Sequence, residues 1–371
     1  MNKNKLVYIA NIRIPTEKAH GIQIMEMCQA FAEQGIEVEL VVPHRRNSLH
    51  EDPFVYHNLP KTFKITKLPS LDLIRFGWIG FWIQQVTFAL SAGFYMLGRF
   101  ELCYTRDPLI AVLFESLSQQ IIWEGHRGET NILIKMLIRM GARMVMITHG
   151  LKDLYVGMGA RPENILVAPD AVDMEKFSKI GTKEESRQKS GITSRTVILY
   201  TGHLYGWKGA HTLADAAKFL PEDIKIYFVG GTETDLVLFR EQYGHVKNIE
   251  IVGKKPHKDM PHYVGSADIL VIPNSGKEDI SKLYTSPMKL FEYMASGRPI
   301  IASNLPSIRE ILNESNAYFF ESDNPEDLAR VIKHVLKDMN TAEQKAKIAL
   351  QVVQNYSWDK RAQIILDFFK K

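Results

Sequence analysis

Short apolar runs alternate with stretches of helical periodicity along nearly the whole chain. Leu6 to Asn11 reads as a buried strand, followed by a loop with Arg13, Lys18, His20 and Gly21, a helix from about Ile22 to Gln34, and a strand from Val38 to Pro43. The same rhythm predicts strands at Glu101 to Thr105, Ile121 to Gly125, Arg143 to Ile147 and Ile165 to Val167. A second series is expected at Thr196 to Thr201, Ile224 to Val229, Ile249 to Val252, Ile269 to Ile272 and Pro299 to Ser303. Strands alternating with helices in this order predict α/β architecture with parallel sheets.

Ser178 to Arg195 interrupts the rhythm: it is polar, carries Lys179, Lys183 and Lys189, and has little apolar periodicity, so it is read as a linker. The expected organisation is a first domain over residues 1–177, a linker over 178–195, a second domain over 196–356, and a terminal helix over 357–371 opened by Ser357-Trp358-Asp359. Phe76 to Leu97 contains no charged residue and is rich in aromatics. Gln84, Gln85, Ser91 and its glycines weaken the case for a membrane span, and the expectation is a buried or interfacial helix, with core packing favoured over docking on a membrane surface.

With 371 residues and 45% hydrophobic content, the chain can build two cores. A net charge of +4 does not suggest nucleic-acid binding, though it allows a surface facing phosphate or anionic lipid. Cys28 and Cys103 lack any CxxC spacing, which argues against a disulfide framework or a zinc site and fits a reducing cytosol. The apolar run after Lys5 is too short, and too soon followed by Arg13, to read as a signal peptide.

Candidate chemistry concentrates in SPMKLFEYMASGRP, residues 286–299. Ser286 is a natural N-cap, Pro287 suits the first helical position, and Gly297 can close the helix in a left-handed turn. The start of such a helix suits a phosphate, and Lys289 adds charge there. Glu292, three residues on and on the same side, can accept hydrogen bonds from two adjacent hydroxyls such as those of a ribose. Equally open from this stretch alone is an ordinary helix with Lys289 and Glu292 as a solvated pair. A second loop, GHLYGWKG at residues 202–209, follows the first strand of the second domain; its glycine spacing and Gly209 exclude a P-loop, leaving Lys208 beside glycines at a strand's carboxyl end. His126, in EGHRG, occupies the equivalent kind of position in the first domain. There is no complete GxGxxG, GxSxG, HExxH or Asp-x-Asp pair, which argues against Rossmann hydride transfer and against serine or zinc hydrolysis.

GHLYGWKG, ADILVIP and SPMKLFEYMASGRPII, together with YTRDP, WEGH and APDAVDMEKF, resemble the landmarks of retaining glycosyltransferases of the GT-B fold, the family-four or group 1 type. The resemblance implies two Rossmann-like domains with a nucleotide-sugar in an interdomain cleft, and a C-terminal helix that crosses back to complete the first, acceptor-binding domain. It implies that Lys208 binds the donor diphosphate, that Glu292 holds the ribose, and that the backbone of Ser286, Pro287, Met288, Lys289 and Leu290 faces phosphate. His126 would lie beside the transferred sugar and the Gly21 loop would close over it, with Arg106 of YTRDP a further candidate. Three departures stand out. Tyr284 occupies the place of a usual acidic residue, for which Glu278 and Asp279 are the candidate substitutes; His203 stands where an arginine commonly accompanies the lysine; Ala171 replaces a glycine.

The expected function is therefore retaining transfer of a sugar from a nucleoside-diphosphate-sugar to a lipid-linked or polysaccharide acceptor. Neither metal nor cofactor is expected, and the expected place is the cytoplasm, in peripheral contact with the inner face of the membrane. A nucleotide-sugar isomerase and a non-catalytic nucleotide-binding protein on the same fold are the alternatives.

Overall fold

The structure, a computed structural model, describes residues 5–99, 102–117 and 120–370. Its contacts divide the chain into two units, Met1–Pro169 with Trp358–Lys371, and Asp170–Ser357.

In the N-terminal unit seven parallel strands stand in the order β3-β2-β1-β4-β5-β6-β7. They are β1 (Lys5–Ile9), β2 (Glu37–Pro43), β3 (Lys64–Leu68), β4 (Leu102–Thr105), β5 (Ile121–Gly125), β6 (Arg143–Met146) and β7 (Ile165–Val167). Leu6 to Ile9 of β1 and all of β5 are buried, as expected of strands covered by helices on both faces. Ile9 pairs with Thr105, and Thr105 with Trp123, so β1, β4 and β5 end side by side. The step from β3 back to β4 reverses the strand order between β1 and β4, which makes their carboxyl ends a switch point. The helix Trp358–Lys370 packs in this unit against the helix Ala19–Glu33.

The C-terminal unit holds six parallel strands in the order β10-β9-β8-β11-β12-β13. These are β8 (Thr196–Thr201), β9 (Ile224–Val229), β10 (Ile249–Gly253), β11 (Ile269–Ile272), β12 (Ile300–Ser303) and β13 (Tyr318–Phe320). One apolar cluster, with Leu199, Leu270 and Phe291, covers one face of the sheet; another, with Ile198, Val271 and Ile332, covers the other. The switch point here lies between β8 and β11.

The strands β3 and β13 were not anticipated. Both are edge strands, and short: Lys64-Ile65-Thr66-Lys67-Leu68 breaks its alternation with lysines, and β13 spans only Tyr318–Phe320. Glu101 of the predicted strand 101–105, and Lys371 of the predicted terminal helix, lie outside the described residues.

The stretch read as a linker is ordered. Lys183–Ser190 is a helix opened by a capping box between Thr182 and Glu185, and it is tied to the C-terminal unit by charge. Lys183 Nζ and Arg187 Nη2 each lie 2.8 Å from the Asp268 carboxylate, and Arg187 Nε donates to the Ser266 carbonyl at 3.0 Å. Polar anchoring leaves no apolar period to read. By its contacts the C-terminal unit begins at Asp170, whereas the expected organisation has a linker over 178–195 and a second domain from residue 196.

The aromatic stretch is the helix Gly77–Met96, and it is built inside out. Gly80, Gln84, Ala89 and Ala92 face the protein together with Phe88 and Met96, while Trp78, Trp82, Val86, Leu90 and Phe94, four residues apart, are exposed. Trp78 is 74% exposed and Phe94 73%. Core packing therefore describes only its narrow, small-residue face. Among the described residues no helix is long and apolar enough to cross a membrane.

Candidate functional site

In the C-terminal unit the switch point is formed by the loops that leave β8 and β11. After Thr201 the chain runs through Gly202 to a single turn of 3-10 helix, Gly206–Lys208, and then to Gly209, with φ +69°. A side chain at Gly209 would place its Cβ 1.7 Å from the Pro273 carbonyl oxygen, so only glycine lets this loop lie against the one after β11. The Trp207 carbonyl accepts from the Ser275 N–H at 2.9 Å and the Ser281 hydroxyl at 3.1 Å, joining the two loops. Lys208 is thereby fixed at the end of the turn, its Nζ 5.2 Å from the centre of the Trp207 ring.

The second piece is the helix Met288–Ala295. Ser286 does not cap it. Pro287 occupies the cap position, and the Ser286 hydroxyl accepts from the Asp170 N–H at 3.0 Å, which anchors the loop entering the helix. Gly297 ends it in a left-handed conformation, φ +65°, as its sequence suggests. Leu290, Phe291 and Met294 sit in the apolar cluster, which turns Lys289 and Glu292 the other way.

These two residues are not a solvated pair. Lys289 is 7% exposed, its Nζ stands 3.8 Å from the centre of the Tyr200 ring, and among the described residues that nitrogen has no hydrogen-bond partner. Burial drives its pKa well below the ordinary lysine value, the neighbouring Lys208 adds to the fall, and Glu292 only partly opposes it. Burial likewise lowers Lys208 to about 8, against the pull of Glu292. Glu292 is 9% exposed and its Oε1 pairs with Nε2 of His257 at 3.0 Å. Two cations and one carboxylate thus meet at one end of the sheet, with the cations under-compensated. His257 was missed by the sequence reading. Its signal was its position: like Lys208 it lies on the loop after a strand of the same sheet, here β10.

In the N-terminal unit β5 delivers Glu124, and His126 follows two residues later on the same side of the strand. Glu124 is 1% exposed and accepts from Gln23, Tyr104 and Arg361, and its Oε1 lies 2.5 Å from His126 Nε2. Arg106, just past β4, donates to the Gln23 side-chain oxygen at 2.9 Å. His126 is thus brought together with Arg106 and with an arginine of the last helix, which the sequence reading did not foresee.

The remaining candidates have mixed placements. Gly21 is buried in the first turn of the helix Ala19–Glu33, and a Cβ there would lie 2.1 Å from the Thr16 side chain, which gives the glycine a packing reason. His203 stacks on Tyr205 with ring centres 5.0 Å apart, and its carbonyl accepts from the Tyr200 hydroxyl. Tyr284 is half-buried before the Met288 helix, whereas Glu278 and Asp279 are exposed at the start of the short helix Asp279–Lys282. Ala171 is buried beside Asp170.

Two all-parallel α/β units, with the last helix of the chain completing the first, are the GT-B architecture. Residues 182–352 match the family model described as glycosyl transferases group 1, so the C-terminal unit belongs to that family, as its motifs suggested. The D-inositol 3-phosphate glycosyltransferase of Paenarthrobacter aurescens is 21% identical over 395 residues, covering 95% of this chain and 92% of that protein. Spore coat protein SA of Bacillus subtilis is 27% identical over 206 residues, covering 51% of this chain and 52% of its own length. Among solved structures, Anabaena HepE in complex with UDP matches 99% of each chain with a TM-score of 0.75 and 14% identity.

Proposed function

We propose that this chain transfers a sugar, with retention of configuration, from a nucleoside-diphosphate-sugar to a lipid-linked or polysaccharide acceptor. The observation that carries the reading is the buried Lys289 ammonium group beside Lys208, without a hydrogen-bond partner among the described residues. A diphosphate supplies the charge both lysines lack. Glu292 takes the ribose hydroxyls, and the amides at the start of the Met288 helix add their dipole.

Chemistry at such a site is electrostatic. As the glycosidic bond breaks, negative charge grows on the leaving diphosphate, and the fixed cations stabilise it more than they stabilise the ground state. A phosphate oxygen on the same face helps to deprotonate the acceptor, which returns the new bond to the face of the old one. The lysines provide the charge, so the reading requires no metal ion, and the nucleotide-sugar is a substrate rather than a cofactor. His126 takes the contact with the transferred sugar that the family resemblance implies.

The exposed stripe from Trp78 to Phe94 adds a partner: an anionic lipid leaflet at the cytoplasmic face. Beside it in the same unit, the helix Pro108–Ser116 contacts both the aromatic helix and the helix Ile132–Met140, which exposes Ile132, Lys135, Met136, Arg139 and Met140 on one side. With Arg75 also exposed, aromatic and basic side chains together suit a negatively charged interface, where a lipid-linked acceptor would be within reach.

The test of the function is donor turnover with a radiolabelled nucleotide-sugar panel and membrane lipid extract as acceptor. Transfer with retained anomeric configuration, lost in Lys208→Ala and in Glu292→Ala, is the expected result. Turnover unchanged in both variants would remove the reading, and product formed from donor without acceptor would replace it with isomerisation.

A further inference from the structure

We propose that Glu124 and Arg361 are positioning residues that hold His126 as its Nε2–H tautomer, so that the ring offers Nδ1 as a hydrogen-bond acceptor to a hydroxyl of a bound ligand. That this ligand is a sugar rests on the function proposed above; the tautomer does not.

The argument begins with Glu124. Its Oε1 faces Gln23 Nε2 at 2.9 Å, Arg361 Nη2 at 2.8 Å and His126 Nε2 at 2.5 Å, and its Oε2 accepts from the Tyr104 hydroxyl. Burial raises the carboxyl, but the charges of Arg361 and Arg106 and the hydrogen bond with His126 offset it and hold Glu124 well below the ordinary carboxylate range. An ionised carboxylate has only lone pairs to offer, so each nitrogen that meets it must bring a hydrogen. Nε2 of His126 is therefore the protonated nitrogen.

A second proton on the ring is opposed. Burial and then Arg106 lower His126 to about 4, against Glu124, with Arg361 adding to the fall. One proton remains at neutral pH, on Nε2, and Nδ1 is left bare. Among the described residues nothing hydrogen-bonds to Nδ1.

Arg361 is what makes this state hold. It is 3% exposed on the helix Trp358–Lys370; its Nε donates to the Pro169 carbonyl at 2.8 Å and its Nη2 also reaches the Ala168 carbonyl at 3.2 Å. Its fork is fixed by backbone, so the guanidinium cannot follow a moving carboxylate. Gln23 is fixed in turn, its oxygen taking Arg106 and its NH2 group facing Glu124. With Arg361 present the buried carboxylate already has its counter-charge. Without it, protonating His126 would be the nearest way to neutralise Glu124, and both ring nitrogens would become donors. The groups facing His126 from the packed elements of this unit are Glu124, Arg106, Arg361 and His20.

The experiment is long-range 1H–15N NMR of the imidazole nitrogens in the full-length, ligand-free protein at neutral pH, with His126 assigned as the signals lost in His126→Gln. The expected wild-type spectrum shows one proton, on Nε2. Arg361→Met should convert these signals to an imidazolium pattern, and Arg361→Lys should restore the neutral one. Because Arg361→Met removes a buried charge and could unfold, the isosteric Glu124→Gln provides a second arm, in which an Nδ1–H population should appear. A wild-type ring protonated on Nδ1 or on both nitrogens overturns the proposal, as does an unchanged Nε2–H spectrum in folded Arg361→Met or in Glu124→Gln. None of these readouts depends on nucleotide binding, so a failure here is distinct from a failure of the transferase reading.

Discussion

Lys289 Nζ stands 3.8 Å from the centre of the Tyr200 ring. That ring face and the Glu292 carboxylate are the compensation its charge receives in the absence of ligand. A buried polar group without a partner costs about 1–3 kcal/mol, and a cation–π contact returns roughly 0.5–2 kcal/mol. The balance leaves the ligand-free protein strained at this point, as expected of a residue placed for a ligand rather than for the fold.

Replacing Lys289 with methionine should therefore stabilise the ligand-free protein, by about 1 kcal/mol, while removing nucleotide binding. Thermal unfolding with and without UDP reads both effects. A variant that unfolds earlier and still responds to UDP would show that Lys289 serves the core.

Nucleotide affinity should fall as pH rises. Lys208 titrates at about 8 in the free protein, and a bound diphosphate must raise that value. Below pH 8 Lys208 is charged in both states and adds no pH dependence; above it, binding must take up a proton, and affinity drops up to tenfold per pH unit until the bound-state value is passed. Burial also lowers Lys289, so it acts in the same direction. Calorimetry in buffers of different ionisation enthalpy should show proton uptake on binding UDP; proton release would contradict the assignment.

His257 should sharpen ribose recognition by holding Glu292. His257→Ala should weaken UDP about tenfold, or ~1.4 kcal/mol, and weaken 2′-deoxy-UDP much less. Equal losses for both ligands would mean that the pair acts on something other than the ribose.

At Gly209 any side chain meets the Pro273 carbonyl and must adopt a left-handed backbone. Gly209→Ala should cost ~2 kcal/mol or more and displace Lys208, seen as a lowered Tm with weakened UDP binding. A Tm within a degree of wild type would show that the two loops part easily.

The exposed aromatic stripe should bind anionic vesicles. Trp78→Gln with Trp82→Gln should abolish sedimentation with phosphatidylglycerol liposomes without lowering the Tm, since both side chains are exposed. Stable self-association through this face, with no lipid-dependent pelleting, would contradict the membrane assignment.

Much of this was legible in the sequence because buried parallel strands write themselves as apolar runs: β8, β9 and β11 fall where Thr196–Thr201, Ile224–Val229 and Ile269–Ile272 were expected. The edge strands β7 and β10 were legible too, but β3, interrupted by lysines, and the short β13 escaped. The Lys183–Ser190 helix escaped because Asp268, far along the chain, holds it by charge. Residue spacing placed Lys289 and Glu292 on one side of a helix, but it could not show that Ser286 turns to Asp170 instead of capping that helix, nor that His257 and Arg361 arrive from distant segments. A local pattern records which way a side chain leaves its own element. It does not record what another element brings to meet it.

The most direct test of the central claim is thermal unfolding of wild type, Lys289→Met and Glu292→Ala with UDP, GDP, ADP and CMP. A nucleotide at a hundred times its dissociation constant should stabilise the wild type by about 2.7 kcal/mol. A shift with one nucleoside diphosphate, absent in both variants, is the predicted result and would identify the donor class. A shift that survives both substitutions, or none with any nucleotide, would contradict a diphosphate site built from Lys208, Lys289 and Glu292.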